Sequence, residues 1–527
     1  MSAHADTFVR DNLPPREQWP ELKFNLPELQ FPQRYNASSF LDAAIANGFA
    51  ERPAILSQEG VTTYEALLSY VNRFAKILVK IGVKPGERVL LHAPNSAQAL
   101  AAWWATIRAG GVAVATMPML RASELSAVIN KARVSHALTS GNLFAEVRAA
   151  SKEATILHDR NICLIDDIDD GVGYIETTTF SPVLTAADDP ALIAFTSGTT
   201  GNPKGCVHFH RDIAAMAHTF SRHILQPAPT DIFIGTPPFA FTFGLGAAIV
   251  FPAACGAATA IPDKPGFDAL ADTIAQHKAT TLFTSPTGYR ALMKLEDDRL
   301  ASLHTCVSAG EHLPQATSDQ WFERTGIRII DGIGSTEMIH IFVSARGDDI
   351  RPGATGKAVP GYEATLLNAN DQPFEGEGEG RLAIRGPTGC RYLADERQSN
   401  YVINGWNVTG DIYRRDRDGY FWYISRADDM IISSGYNIGA PEVENALLTH
   451  ESVAECAVIG VPDDERGQIV KAFVVLKPDA SASERVLQDH VKQTIAPYKY
   501  PRAIEFVSEL PKTHTGKVQR FKLRLAS

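Results

Sequence analysis

The chain has 527 residues, 45% hydrophobic and 21% charged, with a net charge of −10. It is too long for one core, so at least two domains are expected, and its scattered Lys and Arg exclude a nucleic-acid surface as its main business. The six cysteines lie far apart in no C-x-x-C or metal spacing, which argues against a disulfide framework and fits a reduced cytosol. The N-terminal MSAHADTFVRDNLPPREQWPELKF has no apolar core and carries acids early, so it does not read as a signal peptide. TTYEALLSYVNRFAKILVKIG (62–82) has helical apolar spacing and stops at Gly82. ERVLLHAP (87–94) follows as a strand, then a helix over 97–111 and a strand over 112–118. ELSAVINKAR and VSHALTS repeat the helix–strand unit. Such alternation predicts a parallel, helix-covered α/β sheet.

ALIAFTSG (191–198) reads as a strand that runs into TSGTTGNPKG (196–205), and HRDIAAMAHTFSRHI (210–224) as the helix after it. The loop is therefore expected between strand and helix, at the strand's carboxyl end, where open α/β sheets bind ligands. Its glycines allow backbone N–H groups close approach, its hydroxyls donate without bulk, and Lys204 adds a point charge. Together they suit a polyphosphate, against the plainer reading of a polar surface loop. A Walker loop is excluded: counted from Gly198, the second glycine position is Pro203, and Gly205 rather than Ser or Thr follows Lys204.

Ile232 to Pro262 carries no charge and is long enough to span a bilayer, but four prolines and four glycines punctuate it. It reads as a strand, a Pro turn, a short helix from about Leu245 and a strand near Ala257–Ile261. Within it, PPFAFTFGLGAA (237–248) alternates Phe239, Phe241 and Phe243. Rings near a carboxylate site would make a flat pocket for a benzene ring; the alternative is core packing of an alternating strand.

SAGEHLP (308–314) and DGIGSTEM (331–338) are small-residue turns in which Gly310, Gly332 and Gly334 would let a flat base slide against backbone. Glu337 could hold a divalent cation against a phosphate. Asp411 in WNVTGD and Arg426 in YFWYISRADD suit ribose hydroxyls, or are surface charges. From Arg426–Asp429 onward the pattern changes to a small βαββαβ-like unit of about a hundred residues. PKTHTGKVQR (511–520) repeats the small-plus-cation theme with Lys517.

TSGTTGNPKG, GIGSTE, TGD, SRADD and PKTHTGK, in this order, resemble the adenylate-forming superfamily of acyl- and aryl-CoA ligases, adenylation domains and luciferases. The resemblance runs from about residue 40 to the end, and Ser425 stands where a Gly usually precedes the boundary Arg. It implies a large N-terminal domain of helix-covered β-sheets (1–427) and a small mobile α+β C-terminal domain (428–527) hinged at Asp428. It implies ATP, Mg²⁺ and coenzyme A: a carboxylate attacks the α-phosphorus, pyrophosphate leaves, and the acyl-AMP passes to a thiol. On these residues, Thr196, Ser197, Gly198, Thr199, Thr200 and Lys204 would cradle phosphates. Ala309, Gly310 and Glu311, with Asp331, Gly332, Ile333 and Gly334, would flank adenine. Thr336 and Glu337 would touch the α-phosphate and Mg²⁺, and Asp411 and Arg426 the ribose. Lys517 would bridge carboxylate and phosphate, and Gly435 in SSGYNI would admit pantetheine.

PPFAFTFGLG and DGIGSTEMIHIF resemble the benzoate-CoA ligase branch, while NLPP…W…PEL (12–28) and VATMPMLRASEL (114–125) resemble its 2-aminobenzoate members. The expected acid is thus aromatic, anthranilate ahead of benzoate, in a pocket of Phe241, Thr242, Phe243, Ala309, Ile333 and His340. His340 either hydrogen-bonds an ortho substituent or is a core histidine satisfied by backbone. The resemblance further implies a cytoplasmic enzyme without nucleic-acid or membrane partners and admits a homodimer. An enzyme loading a carrier protein, or a non-catalytic nucleotide sensor, is the alternative; retention of both Lys517 and Glu337 speaks against the sensor.

Overall fold

A computed structural model describes all residues except 1, 167–178, 197–202, 296–297, 434–435, 464–465, 496, 513–516 and 526–527. Helix starts follow local chemistry. Thr63 accepts a hydrogen bond from Ala66 N to open the helix Tyr64–Lys80, and Ser96 does the same from Ala99 N for Ala97–Arg108. The first buries one stripe, Leu67, Val71, Phe74 and Leu78; the second is buried over nearly its whole length, with Trp103 and Trp104 inside.

Among the described residues, one sheet has six strands in the order Ile162–Leu164, His136–Thr139, Arg88–His92, Val112–Thr116, Pro190–Thr196 and Lys204–Phe209. The first five are parallel and the last is antiparallel. A nine-stranded sheet carries Ile232–Gly235, Thr281–Thr284, Thr305–Ser308 and Ile330–Gly334 side by side and parallel, with Ile341–Ser344 turning back along the last of these. An antiparallel third sheet holds Gly378–Arg385, Trp406–Arg415 and Phe421–Arg426. Beyond Arg426 the chain enters a fourth sheet, beginning at Ile431–Ser433, with its own apolar core around Ile438, Val443, Val458 and Val474.

Three expectations change. The loop after Thr196 does not lead into a helix: Lys204–Phe209 first returns as a strand paired with Pro190–Thr196, and the helix starts at His210. That helix is α-helical only to Met216 and then widens into π-helical turns over Ala217–Leu225, which a 3.6-residue reading cannot see. Phe239, Phe241 and Phe243 do not alternate on a strand. The strand ends at Gly235, Phe239 is buried in a turn, and Thr242–Leu245 is helical, continuing through wide turns at Gly246–Val250. The strand stopping before the prolines 237 and 238, the short helix and the returning strand Ala258–Ala260 otherwise follow the sequence reading, with the helix starting at Thr242 rather than near Leu245. No described helix is long and apolar enough to cross a membrane.

Where the sheets meet, Asp212 and Arg391 form a fully buried ion pair at 3.0 Å, and Arg391 also lies over the Phe209 ring. Truncating one partner strands a charge in the core. Asp212→Leu should therefore destabilise the protein by ~3–5 kcal/mol in urea unfolding, and adding Arg391→Met should recover part of that loss. A loss below ~1 kcal/mol for the single variant would show that the pair is not holding the junction.

Candidate active site

Parallel strands deliver their carboxyl ends to one edge. Ser308 and Asp331 are register partners there, so the segments Ala309–Glu311 and Ser335–Glu337 leave the sheet side by side. The hairpin Thr196/Lys204 is brought to the same place from the neighbouring sheet. His208 on its second strand reaches the Thr336 carbonyl through Nε2 at 2.7 Å, and Lys204 Nζ stands 4.0 Å from Glu337 Oε1. Burial alone would lower the pKa of His208, but the Cys206 sulfur and the Asp212 carboxylate outweigh it and raise it to about 9.

Several polar side chains at this edge have buried atoms without a partner among the described residues: Thr196 Oγ1, Ser308 Oγ, Glu311 Oε1, Asp331 Oδ1 and both ring nitrogens of His340. Buried polar groups are nearly always hydrogen-bonded, so a cluster of orphans marks a surface shaped for a polar ligand. Desolvation raises the Asp331 carboxyl to about 8 and pushes Glu311 upward, although Arg290 and Thr287 oppose the shift at Glu311.

The third sheet contributes Asp411 and Arg426. They face each other across paired strands and meet at 3.1 Å, Asp411 nearly buried and Arg426 exposed. From the C-terminal segment, Lys517 comes over Gly310. A Cβ at that glycine would stand 3.7 Å from Lys517 Cε, and its φ of +89° is one that side chains rarely adopt. Lys517 is exposed by area, yet crowding protein lowers its pKa by desolvation, with the charges of Glu311 and Asp411 opposing. Gly332 and Gly334 have a different cause. A Cβ at Gly332 would strike Ile341, and one at Gly334 the His340 backbone, so their own hairpin demands them before any ligand does.

Of the residues expected to form the acid pocket, Phe243 packs on His340, joined by two rings the sequence reading did not include. Phe251, Phe220 and Phe243 have ring centroids 4.6, 5.1 and 5.9 Å from it, and Phe243 also packs on Phe283. Gly246 is pressed so close that a Cβ would lie 2.6 Å from His340 Nε2. Burial lowers the His340 pKa to about 3; the Phe243 backbone offsets this in part but reaches neither nitrogen with hydrogen-bond geometry. The imidazole is thus neutral, with a donor and an acceptor to offer. Thr242 and Ala309 are buried, Phe241 and Ile333 half-buried. Ser197, Gly198, Thr199, Thr200 and Gly435 lie outside the described residues, as does the side chain of Asp428.

Sequence reasoning missed Tyr392, whose hydroxyl touches both Lys204 and Glu337, and the His208–Asp212–Arg391 set behind them. The H-x-x-x-D spacing from His208 to Asp212 was the one visible signal. Tyr392 sits in a connection that carries no pattern.

Residues 43–392 match the AMP-binding enzyme family, and residues 442–517 match the AMP-binding enzyme C-terminal domain. A benzoate–CoA ligase of Thauera aromatica is 34% identical over 514 residues, 95% of this chain and 98% of that protein. A mitochondrial acyl-coenzyme A synthetase of Homo sapiens is 33% identical over 489 residues, 88% of this chain and 83% of that protein. A solved anthranilate CoA ligase in complex with anthranoyl-AMP superposes with a TM-score of 0.89 at 33% identity, covering 95% of this chain and 99% of that one.

The buried state of His340 has a measurable consequence. The unfolded chain takes up a proton at this residue below pH 6.5, whereas the folded chain refuses it until about 3, so stability falls as pH is lowered through that window. Each such histidine steepens the loss by up to ~1.4 kcal/mol per pH unit. His340→Leu should make the urea-unfolding free energy less pH-dependent by that amount between these limits. An unchanged slope would mean that His340 is protonated in the folded protein.

Proposed function

The chain belongs to the AMP-binding enzyme family and is an AMP-forming aryl-acid–coenzyme A ligase, and we propose that its preferred acid is anthranilate, ahead of benzoate. The observation that carries the choice of acid is His340, buried in a wall of phenylalanine rings with neither nitrogen hydrogen-bonded among the described residues. Flat apolar walls favour a benzene ring by stacking, and a neutral imidazole with a free acceptor suits an ortho amino group. The solved neighbour that binds anthranoyl-AMP supports the same reading.

In this reading Thr196 and Lys204 hold phosphate oxygens, together with Ser197 to Thr200. Asp331 and the Ala309–Glu311 segment meet the adenine edge, where a protonated Asp331 donates as well as accepts. Asp411 and Arg426 take the ribose. The acid lies against Phe243, Ile333 and His340 with its carboxylate toward Thr336. Two anions must then meet, and in this reading the Lys517 ammonium, which lies over Gly310, offsets their repulsion and the charge that builds on the α-phosphate.

A divalent cation fits Glu337. Among the described residues no hydrogen bond reaches its Oε2, and no cluster of three or more His, Cys, Asp or Glu offers a ready-made metal cage. Mg²⁺ is commonly bound by one carboxylate together with substrate phosphates, and when bound it would neutralise phosphate charge. After adenylate formation, residues 428–527 swing about Asp428 to withdraw Lys517 and admit the thiol near Gly435. The cytoplasmic setting of this reading is supported by the six free cysteines.

Lys517→Ala separates the half-reactions. Pyrophosphate release should fall by ~10²–10³-fold, while thioester formation from supplied aryl-AMP stays within ~threefold of wild type. Equal loss in both would remove Lys517 from its role. For the acid, kcat/KM with anthranilate should drop ~tenfold more than with benzoate in His340→Leu, the worth of one hydrogen bond to the substituent. Equal drops would assign His340 to packing alone.

A further inference from the structure

Lys204 and Glu337 carry opposite charges and sit at the heart of the site, yet their nearest atoms are 4.0 Å apart. A Lys–Glu pair free to close does so to about 2.8 Å. Tyr392 stands between them. Its hydroxyl donates to Glu337 Oε1 at 2.5 Å and accepts from Lys204 Nζ at 3.1 Å. A phenol has one proton, so the two contacts fix its direction.

The ring itself is pinned. Tyr392 is 1% exposed, its backbone N–H donates to Gln398 Oε1 at 2.9 Å, and the residue pairs with Cys206 across an isolated β-bridge. Tyr401 packs edge-on against it at 5.9 Å, and its hydroxyl meets Ser335 Oγ at 3.2 Å. The same two tyrosines therefore brace the Ser335–Glu337 turn at both ends.

We propose that Tyr392 is a positioning residue that keeps Lys204 and Glu337 from closing into a direct ion pair. The ammonium then stays available to phosphate oxygens, and Glu337 Oε2 stays available to a divalent cation. Without the hydroxyl the two charges neutralise each other, and the nucleotide has to break that pair before it binds. The proposal rests on the AMP-forming reading of this site.

The test is a double-mutant cycle on ATP binding, measured by calorimetry over a series of Mg²⁺ concentrations, without acid or CoA. In Tyr392→Phe the ATP dissociation constant and the half-saturating Mg²⁺ concentration should each rise ~tenfold, with the unfolding midpoint close to that of wild type. In a Lys204→Met background, adding Tyr392→Phe should cost less than ~twofold, because no ion pair is left to form. Additive losses in the cycle, or unchanged Mg²⁺ dependence in Tyr392→Phe, would overturn the proposal.

If Tyr392→Phe does not fold, Lys204→Met alone decides. It should weaken ATP while leaving half-saturating Mg²⁺ within ~twofold, since Tyr392 still holds Glu337. A rise in both would contradict the proposed separation of roles. Wild-type enzyme assayed alongside keeps the two claims apart. Failure to release AMP with any aryl acid would sink the functional reading, whereas normal release with an indifferent Tyr392→Phe sinks only the role of Tyr392.

Discussion

The antiparallel edge strand Lys204–Phe209 is the seam on which this site depends. One face of it closes the hairpin with Pro190–Thr196. Its other edge pairs through Val207 and Gly205 with Arg391 and Leu393, on the connection between two strands of the third sheet. His208 reaches across to the Thr336 carbonyl in the turn that follows strand Ile330–Gly334 of the nine-stranded sheet. Three sheets built from distant sequence are thus tied to one strand by hydrogen bonds whose groups are buried or half-buried. Such bonds are expensive to leave unmade, which makes the junction specific rather than merely compact.

The seam is also where polar cost is concentrated. Asp212 faces Arg391 and His208 in full burial, and Tyr392, Lys204 and Glu337 share one hydroxyl beside them. Thr196, Ser308, Glu311, Asp331 and His340 all keep buried polar atoms with no partner among the described residues. The first group is held by ion pairs and shared hydrogen bonds, although His208 Nδ1, Asp212 Oδ1 and Arg391 Nε also lack hydrogen-bond partners among the described residues. Ion-paired support beside open hydrogen-bonding valence describes a site in which binding a ligand supplies missing hydrogen bonds.

The sequence made the architecture legible where one period dominates. Helix Tyr64–Lys80 and strands such as Val112–Thr116 fall where apolar spacing places them, because burial on one face or both imposes that spacing. The sequence also singled out Thr196, Lys204 and Glu337, which the structure brings to one edge, because small residues beside a cation are an unusual combination. What escaped reading has physical reasons. The strand Lys204–Phe209 is almost fully buried, so it shows no alternation to separate it from the helix that follows. The wide turns at Ala217–Leu225 and Gly246–Val250 break the helical period beside His340. Gly332 and Gly334 looked like ligand glycines, and their hairpin explains them first. Tyr392 acts through a single oxygen whose partners lie 55 and 188 residues away, and no local pattern encodes such a contact.

The central claim is that this seam presents ATP to an aromatic acid for AMP-forming ligation to coenzyme A. The most direct measurement is the nucleotide product released from ATP with a panel of benzoate, anthranilate, salicylate, substituted benzoates and a medium-chain fatty acid, each with and without CoA. AMP and pyrophosphate in turnover that requires both an aryl acid and CoA, with anthranilate foremost, is the predicted result. Release of ADP, preference for the fatty acid, or turnover indifferent to CoA would contradict it.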